Sequence, residues 1–299
     1  MKKLTGFAAI FGVVVFWGIS FISIKIVLEV IDPILLGLFR YVLAVLFVLG
    51  VVVVKKISLR VTKKDLLVFF LAGLFGIFLY SSLENTAMLY VSAQTAAIMT
   101  SLVPLMIIIG NSIVFKERFL FRYLFYVGLS ISGVLLVVLP DSATDTGTNN
   151  LLGVTLLFLS IVSWTGYALM TKKVIEKYNT IKVTALQSIM ALLAFFPSLF
   201  LRPFPVFSTF MFEHWAHLLF LGVVCSGVTY LLYVHSINRL GVAIPNIFLN
   251  FIPLVTVLAN LIIFGITIGW IQIAGGLVVV ITMTLLTMDR MKQDKATVS

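Results

Sequence analysis

The sequence predicts an all-α integral membrane protein in which ten transmembrane helices form two inverted five-helix repeats. Three observations predict this fold: the composition, a series of long apolar runs, and the crowding of basic residues on one side of those runs. Hydrophobic residues make up 61 % of the 299 residues and charged residues only 11 %, whereas a soluble globular protein has about 45–50 % and about 25 %. So few charges cannot cover a soluble domain of this size, and the composition excludes disorder, a disulfide scaffold and an ordinary cytosolic enzyme. The class that remains is a polytopic membrane protein, in which lipid surrounds the apolar surface.

Ten apolar runs are long enough to cross a bilayer core, which is about 30 Å thick and needs roughly 20 residues of helix. They are too long for the strands of a membrane β-barrel and lack the alternation of such strands. The first run follows Lys2 and Lys3, but it exceeds the apolar region of a signal peptide and precedes no clear cleavage site, so we expect a retained span. The approximate limits of the runs are 6–29, 34–54, 66–90, 93–115, 121–139, 151–171, 181–201, 215–236, 242–264 and 268–288.

The basic residues give the orientation. With the N-terminus in the cytoplasm, eighteen of the twenty-one Lys and Arg residues fall in cytoplasmic segments, and only Arg202 falls in an outer one. This positive-inside bias predicts a multi-pass protein of the bacterial plasma membrane with both termini in the cytoplasm. We expect the net charge of +10 to reflect contact with anionic inner-leaflet lipid and not with nucleic acid.

A polar segment, PDSATDTGTNN at 140–150, divides the chain. It predicts a first repeat at 1–139, an outer linker at 140–150, and a second repeat at 151–299 that ends in a short cytoplasmic tail. Each half contains five spans, and an odd number requires the second half to lie upside down relative to the first. Inverted repeats of this kind build many secondary transporters.

Two pairs of segments support a duplication. WGISFISIK at 17–25 aligns with WTGYALMTK at 164–172 when the halves are shifted by 147 residues. TAAIMTSLVPL at 95–105 aligns with IPNIFLNFIPL at 244–254 after a shift of 149 residues, which places Pro104 opposite Pro253. The matches are weak in identity but follow the same order in both halves.

These segments also carry a family resemblance. The Trp17-Gly start with a lysine eight residues later, Arg40 in the second span, LENTAMLYVSAQTAAIMTSLVPL at 83–105 and KER at 116–118 resemble the EamA-like family of the drug/metabolite transporter superfamily. The resemblance covers nearly the whole chain, and 83–105 is its most specific part. It implies ten spans in two inverted halves and the export or uptake of small metabolites, without fixing the substrate.

Three ionisable residues lie within spans of the first half: Lys25, Arg40 and Glu84. Each costs about 2.5–3.5 kcal/mol to insert, so each is expected to have a partner or a wet cavity. A rise of about 1.5 Å per residue places all three roughly 6–9 Å below the outer surface, where an Arg40–Glu84 ion pair with Lys25 nearby is possible. In the functional interpretation, Arg40 or Lys25 binds a substrate carboxylate and Glu84 exchanges a proton. In the alternative, Arg40 and Glu84 form a static pair, and Lys25 extends to the headgroups.

Aromatic residues within the spans are the second group of candidates for substrate binding. Trp and Tyr have an apolar face and a polar tip, which suits a cavity for amphipathic metabolites; packing or contact with lipid is the alternative for each. The alignment of Trp17 with Trp164 favours that pair, since transporter sites form where the repeats meet. The six candidates are Trp17, Phe21, Tyr80, Trp164, Tyr167 and Tyr230.

Uncharged polar residues and prolines complete the candidate site. Gln187 aligns with Arg40 between the repeats, and Asn246 and Asn250 share one helix face. These amides either line a cavity or form interhelical hydrogen bonds of about 0.6 kcal/mol. Pro104 and Pro253 each free a carbonyl one turn earlier, which either permits rocking of the helices or produces a fixed bend.

The sequence therefore predicts a secondary active transporter that exports a small organic metabolite, amino-acid-like or drug-like, by alternating access. A facilitative channel-like permease and, less favoured, an intramembrane lipid-modifying enzyme are the alternatives. The chain contains no P-loop, dinucleotide fingerprint or HExxH pair, so we expect no catalytic site, no metal and no cofactor. The expected partners are the small-molecule substrate, membrane lipid and protons as the coupling ion; the oligomeric state stays open.

Overall fold

The computed structural model describes residues 2–116, 123–144, 150–241, 243–265 and 269–298, and every regular element in these ranges is a helix. A short helix (Ser198–Leu201) and a 3₁₀ turn (Phe207–Thr209) lie between the seventh and eighth long helices. We number the long helices α1 (Lys2–Val27), α2 (Pro33–Val54), α3 (Lys63–Ala87), α4 (Ala93–Thr100 and Val103–Phe115), α5 (Tyr123–Thr144), α6 (Asn150–Ile175), α7 (Thr180–Phe195), α8 (Phe212–Leu240), α9 (Ala243–Leu249 and Ile252–Phe264) and α10 (Trp270–Val298).

The membrane-protein prediction is confirmed. Within the described ranges, eight helical segments are long and apolar enough to span a bilayer, and they belong to α1–α4, α6–α8 and α10. The second part of α9 contributes a shorter apolar helix. The exact number of ten spans stays a prediction. Helix α5 continues to Thr144 and so enters the segment expected as linker, whereas residues 145–149 lie outside the described ranges.

The second helix of each half begins at the same kind of cap. The Asp32 side chain accepts a hydrogen bond from the backbone N–H of Ile34 at 2.9 Å, and the Asn179 side chain accepts one from Ile181 at 2.8 Å. Such caps satisfy backbone donors that a helix start leaves free. The two caps are 147 residues apart, which is the shift that aligns Trp17 with Trp164.

Departures from regular α-helix also recur at corresponding positions. The third helix of each half contains a π-helical segment, at Leu74–Leu79 in α3 and at Phe220–Val228 in α8. The fourth helix of each half is broken, before Val103 in α4 and before Ile252 in α9. The halves therefore share irregular features that follow the same order along the chain.

Side-chain contacts show how α1 and α8 run relative to one another. Gly6 near the start of α1 packs against Leu240 at the end of α8. Ser23 near the end of α1 lies 3.0 Å from the Nδ1 atom of His217 near the start of α8. The two helices are therefore antiparallel.

By the same reasoning α2 is parallel to α8. Leu43 of α2 packs against Gly222 of α8. Phe47, one turn later in α2, packs against Gly227, which is also later in α8. Helices α1 and α2 thus run in opposite directions, and α3 returns along α2 after the short connection 55–62.

Helix α6 runs opposite to α3. Gly153 near the start of α6 packs against Tyr90, which follows α3, whereas the Ser163 hydroxyl donates to the Phe75 carbonyl at 2.6 Å in the middle of α3. Since α3 has the direction of α1, the first helix of the second half is antiparallel to the first helix of the first half. This is the inverted arrangement.

The bundle is apolar on its outside and partly polar within. Large hydrophobic side chains such as Leu46, Phe125 and Phe200 are exposed, as expected for contact with lipid. Buried serine, threonine and asparagine side chains lie between the helices. Helices α5 and α10 pack closely at Gly133, whose missing side chain leaves room for the Gly275 carbonyl and Val279.

Candidate substrate cavity

A cavity lies between the two halves, and both halves build its wall. The space between atoms in this cavity is about 550 Å³, and this volume includes the part that is open to the surroundings of the protein. Helices α1–α4 of the first half and α6, α8 and α9 of the second contribute side chains. We call it the central cavity; its lining residues are Trp17, Ser20, Phe21, Arg40, Tyr80, Glu84, Thr100, Val103, Trp164, Tyr230, Leu249 and Ile252.

The irregular helix segments position part of this lining. Tyr80 directly follows the π-helical segment of α3, and Tyr230 lies two residues beyond that of α8. Thr100 and Val103 flank the break in α4. Leu249 and Ile252 flank the break in α9 in the same way. π-Helical turns and broken helices are frequent at functional sites of membrane transporters and other proteins.

Aromatic rings form one wall of the central cavity. The ring centres of Trp17 and Trp164 are 5.6 Å apart and nearly perpendicular, and the Tyr230 ring lies 5.6 Å from Trp17. Tyr80 is 5.0 Å from Trp164. The Trp17 indole N–H donates to the Cys225 carbonyl in the π-helical segment of α8 at 3.2 Å. The tryptophans aligned between the repeats are therefore in contact where the halves meet.

Arg40 brings a buried positive charge to the cavity. Its side chain is 6 % exposed, and its Nε atom donates to the Ser226 hydroxyl at 3.3 Å. Among the described residues, its Nη1 atom is buried without a hydrogen-bond partner. A guanidinium group that is only partly satisfied within the protein is available to a ligand.

Glu84 brings a buried carboxylate to the same cavity. The residue is 4 % exposed and accepts a hydrogen bond from the Tyr80 hydroxyl. In the described part of the chain Glu84 makes no direct ion pair with Arg40, so the pair considered from the sequence does not form. The rise along a helix gives the depth of a residue but not the direction of its side chain, and here both side chains face a shared cavity.

Lys25 does not line the central cavity. It lies in the last turn of α1, about one turn nearer the helix end than Phe21, and is partly exposed. Of the three ionisable candidates, the structure therefore brings Arg40 and Glu84 together and leaves Lys25 apart.

A second cavity lies on the other side of a layer of rings. It is lined by helices α6 and α8, and its lining residues are Tyr167, Ala168, Thr171, Lys172, Ile175, Tyr233 and Ile237. Trp164 of the central cavity contacts Tyr167 of the second at 4.8 Å, and Trp17 contacts Tyr233 at 5.4 Å. We call Trp164, Tyr167, Tyr230 and Tyr233 the aromatic layer, since their rings separate the two cavities.

Three further candidates lie around the second cavity. Tyr167 lines it directly. The Gln187 amide donates to the Thr171 hydroxyl at 2.9 Å, and the Asn246 side-chain oxygen accepts a hydrogen bond from Tyr233 at 3.4 Å. We therefore do not place these three residues in the central cavity.

The remaining candidates lie at the helix breaks. Pro104 and Pro253 are the second residues of the helical segments that follow the breaks in α4 and α9. Asn250 lies within the break of α9; both polar atoms of its amide are buried, without a partner among the described residues. Whether these breaks move during function stays a prediction.

Replacement of Asn250 by leucine separates a structural role from a functional one. A buried amide without partners costs about 1–3 kcal/mol, so we expect Asn250→Leu to leave the melting temperature unchanged or raise it. If the amide serves the substrate, transport falls about tenfold in the same variant. Asn260→Leu is the matched control, since Asn260 is a buried amide of the same helix roughly 15 Å further along the axis. Equal transport by both variants would contradict a functional role for Asn250.

A polar network joins the halves near the second cavity. The Asp65 carboxylate at the start of α3 accepts hydrogen bonds from Lys177 at 3.1 Å and from the Tyr178 hydroxyl at 2.7 Å. Lys177 and Tyr178 belong to the connection between α6 and α7, in the opposite half. Thr62 caps α3 and donates to the same carboxylate at 2.9 Å. We call this set of residues the Asp65 network.

The ion pairs at the opposite end of the bundle are longer. Arg202 and Asp32 approach to 3.9 Å, and His214 and Glu29 approach to 3.8 Å, with the Glu29 side chain 68 % exposed. The ion pair at the end that carries Asp65 is therefore the shortest of the three, although the 3.0 Å contact between Ser23 and His217 also joins the halves at the opposite end.

Sequence reasoning missed several lining residues. Ser20 lies one helical turn after Trp17, and the helix period alone suffices to find it. Val103, Leu249 and Ile252 carry no signal, because an apolar residue within an apolar span has no distinguishing feature. Ser226, the partner of Arg40, is one of many intramembrane serines.

Comparisons with known proteins agree with the resemblance. A model of the EamA-like transporter family matches residues 4–139 and 151–288. An uncharacterized transporter of Archaeoglobus fulgidus is 26 % identical over 248 residues, which cover 83 % of this chain and 86 % of the relative. The uncharacterized transporter YyaM of Bacillus subtilis is 23 % identical over 287 residues, or 94 % and 93 % of the two chains. A solved crystal structure superposes with a TM-score of 0.68 at 16 % identity and covers 96 % of both chains, which shows a shared fold.

The family model matches most of the chain, and it does so in two consecutive copies that coincide with the two sets of five helices. Its description and the names of the relatives indicate a transporter. The chain is a multi-pass membrane protein that belongs to the EamA-like transporter family.

Proposed function

We propose that this protein is a secondary transporter that exports a small organic metabolite, amino-acid-like or drug-like, across the bacterial plasma membrane by alternating access. The observation that carries the proposal is the central cavity, which both halves line and which contains one buried guanidinium group and one buried carboxyl group among aromatic rings. Sites of this kind at the meeting surface of inverted repeats are typical of secondary transporters.

The arrangement of the two cavities supports alternating access. The aromatic layer separates them, so a solute in the central cavity reaches the second cavity only if the rings of α6 and α8 move. The π-helical segments of α3 and α8 and the breaks of α4 and α9 supply places where these helices can bend.

The charge distribution supports an orientation. With the basic connections in the cytoplasm, the second cavity and the Asp65 network face the cytoplasm, and the connections α1–α2 and α3–α4 face outwards. The shortest of the ion pairs between the halves, Asp65 with Lys177, then lies on the cytoplasmic side. Both termini lie in the cytoplasm in this orientation.

Counterflow in proteoliposomes tests transport directly. Vesicles containing the purified protein are loaded with an unlabelled solute and diluted into a trace of the same labelled solute, for a panel of amino acids, monocarboxylates, amines and sugars. A carrier accumulates label transiently above equilibrium, because the unlabelled solute inside competes with the label for the sites that carry solute out. A channel-like permease gives equilibration without an overshoot, and an enzyme gives a changed product. Protein-free vesicles are the control.

Cysteine labelling tests whether the cavities open alternately. The single cysteine, Cys225, is buried, so we expect the native protein to resist a membrane-impermeant maleimide. In a Cys225→Ala background, Thr100→Cys reports on the central cavity and Ala168→Cys on the second cavity. A solute found by counterflow should raise the labelling rate at one position and lower it at the other. Parallel changes at both positions would indicate a channel instead.

A further inference from the structure

We infer that the central cavity binds a zwitterionic amino acid with an apolar side chain, its carboxylate on Arg40 and its ammonium group on Glu84, so that substrate and proton compete for Glu84. The inference rests on the proposed transport function and adds to it the chemical class of the substrate and the origin of proton coupling.

Arg40 selects the carboxylate. Its Nε atom is engaged by Ser226, and its Nη1 atom is buried without a partner in the described ranges. A buried cationic donor left unsatisfied is unfavourable, and a carboxylate satisfies it with charge-assisted hydrogen bonds. A doubly charged phosphate fits less well, because a single arginine faces it here and Glu84 lines the same cavity.

Glu84 selects the ammonium group. An ionised carboxylate offers about four acceptor positions, and the Tyr80 hydroxyl occupies one of them. In the described part of the chain no other side chain donates to Glu84, so the remaining positions can accept N–H donors from a substrate. The rings of Trp17 and Trp164 line the same cavity, and aromatic faces attract a cation.

The rest of the cavity selects an apolar body. Phe21, Val103, Leu249 and Ile252 line it together with the aromatic rings. The cavity thus combines a guanidinium and a carboxyl group, suited to the two ends of a zwitterion, with an apolar surface for its side chain.

Competition between substrate and proton follows from this geometry. The titratable and charged groups around Glu84 are Tyr80 on its own helix, Arg40 and Tyr41 on α2, and Tyr230 on α8; α6 faces the site with Trp164. Of these, Glu84 is the carboxylate that an ammonium group can pair with. A protonated Glu84 has no charge to offer that group, so a proton must leave before the substrate binds. Each transport cycle then exchanges one proton for one zwitterion, which allows an inward proton gradient to drive export.

Binding measurements on the full-length protein in lipid nanodiscs test the inference. The probes are leucine, phenylalanine and tryptophan, with 3-phenylpropionate and phenethylamine as analogues of phenylalanine that lack one charged group. We expect at least one of the three amino acids to bind, with an affinity that falls by up to about tenfold per pH unit as the solution is acidified. Calorimetry in buffers of different ionisation enthalpy should show up to about one proton released per molecule bound. For the probe that binds, loss of either charged group should weaken binding by about tenfold or more.

Three variants assign the two charges. Glu84→Gln should bind more weakly and without pH dependence, whereas Glu84→Asp should retain the pH dependence because it keeps a carboxylate. Arg40→Gln should bind phenylalanine no better than phenethylamine. A thermal melt of each variant checks that it is folded.

Several results would overturn the inference and leave transport intact. They are counterflow of other solutes with no binding of the zwitterions, a pH dependence that persists in Glu84→Gln, or 3-phenylpropionate binding as tightly as phenylalanine. Conversely, proton-competitive binding without counterflow of any solute would support the inference about the site and contradict the proposed transport function.

Discussion

Replacement of Gly76 by alanine is expected to destabilise the protein and abolish transport. Gly76 lies in the π-helical segment of α3, and an added Cβ atom would lie 2.2 Å from the Tyr167 side chain. Tyr167 is fully buried and contacts Trp164 at 4.8 Å, so its ring cannot yield without disturbing the aromatic layer. Overpacking costs about 1–3 kcal/mol, and we expect the upper end of that range here. The helical preference of alanine over glycine offsets about 1 kcal/mol.

Gly50→Ala is the matched control for this substitution. Gly50 lies in α2, and a Cβ atom there would meet nothing within 4 Å. We expect Gly50→Ala to melt at or slightly above the temperature of the native protein and to transport normally. The measurements are thermal melts in detergent and counterflow in proteoliposomes. Equal melting temperatures and equal transport for the two variants would show that α3 and α6 do not pack tightly at Gly76.

The membrane helices were predictable because the bilayer imposes a simple length rule. For α3 the expected limits of 66–90 compare with an observed helix at Lys63–Ala87. The difference at the start arises from Thr62, whose side chain accepts from the Asp65 N–H and begins the helix earlier than the apolar run does. A cap of this kind involves only three or four residues, whereas hydropathy is averaged over a whole span. The average therefore does not locate the first residue of the helix.

The contact between Trp17 and Trp164 shows what an internal repeat adds. A residue on a two-fold axis lies near its own symmetry mate, so an aligned pair of aromatic residues marks the place where inverted halves meet. The 5.6 Å ring distance agrees with that reasoning. The relative placement of Arg40 and Glu84 was harder to predict from the sequence, because it depends on how α2 and α3 are rotated about their axes and not on depth alone.

The π-helical segments had no local signal in the sequence. Leu74–Leu79 and Phe220–Val228 are apolar runs that contain glycine, like many others in the chain. Each segment accepts a hydrogen bond from the opposite half: the Phe75 carbonyl accepts from Ser163, and the Cys225 carbonyl accepts from Trp17. Such partners lie on distant helices, so only the assembled fold identifies them.

Replacement of Asp65 by asparagine is expected to open the cytoplasmic end of the proposed transporter. The neutral side chain keeps the shape of aspartate but weakens the hydrogen bonds from Lys177 and Tyr178, because charge-assisted bonds are the stronger ones. Since the network joins α3 to the opposite half, its loss should favour the conformation in which the second cavity is open. We expect the labelling rate of Ala168→Cys to rise about fivefold or more. Labelling of Thr100→Cys should fall.

Three comparisons separate the network from a simple ion pair. The Lys177 side chain is 59 % exposed, and exposed ion pairs contribute little, so Lys177→Met should change labelling only slightly. Tyr178→Phe removes the hydroxyl that donates to Asp65 and should reproduce much of the effect of Asp65→Asn. Because both variants act on the same hydrogen bond, between Tyr178 and residue 65, the double variant should show less than the sum of the two effects. Equal effects of Lys177→Met and Asp65→Asn would instead assign the closure to the ion pair, and unchanged labelling in Asp65→Asn would place the closing contacts in the aromatic layer alone.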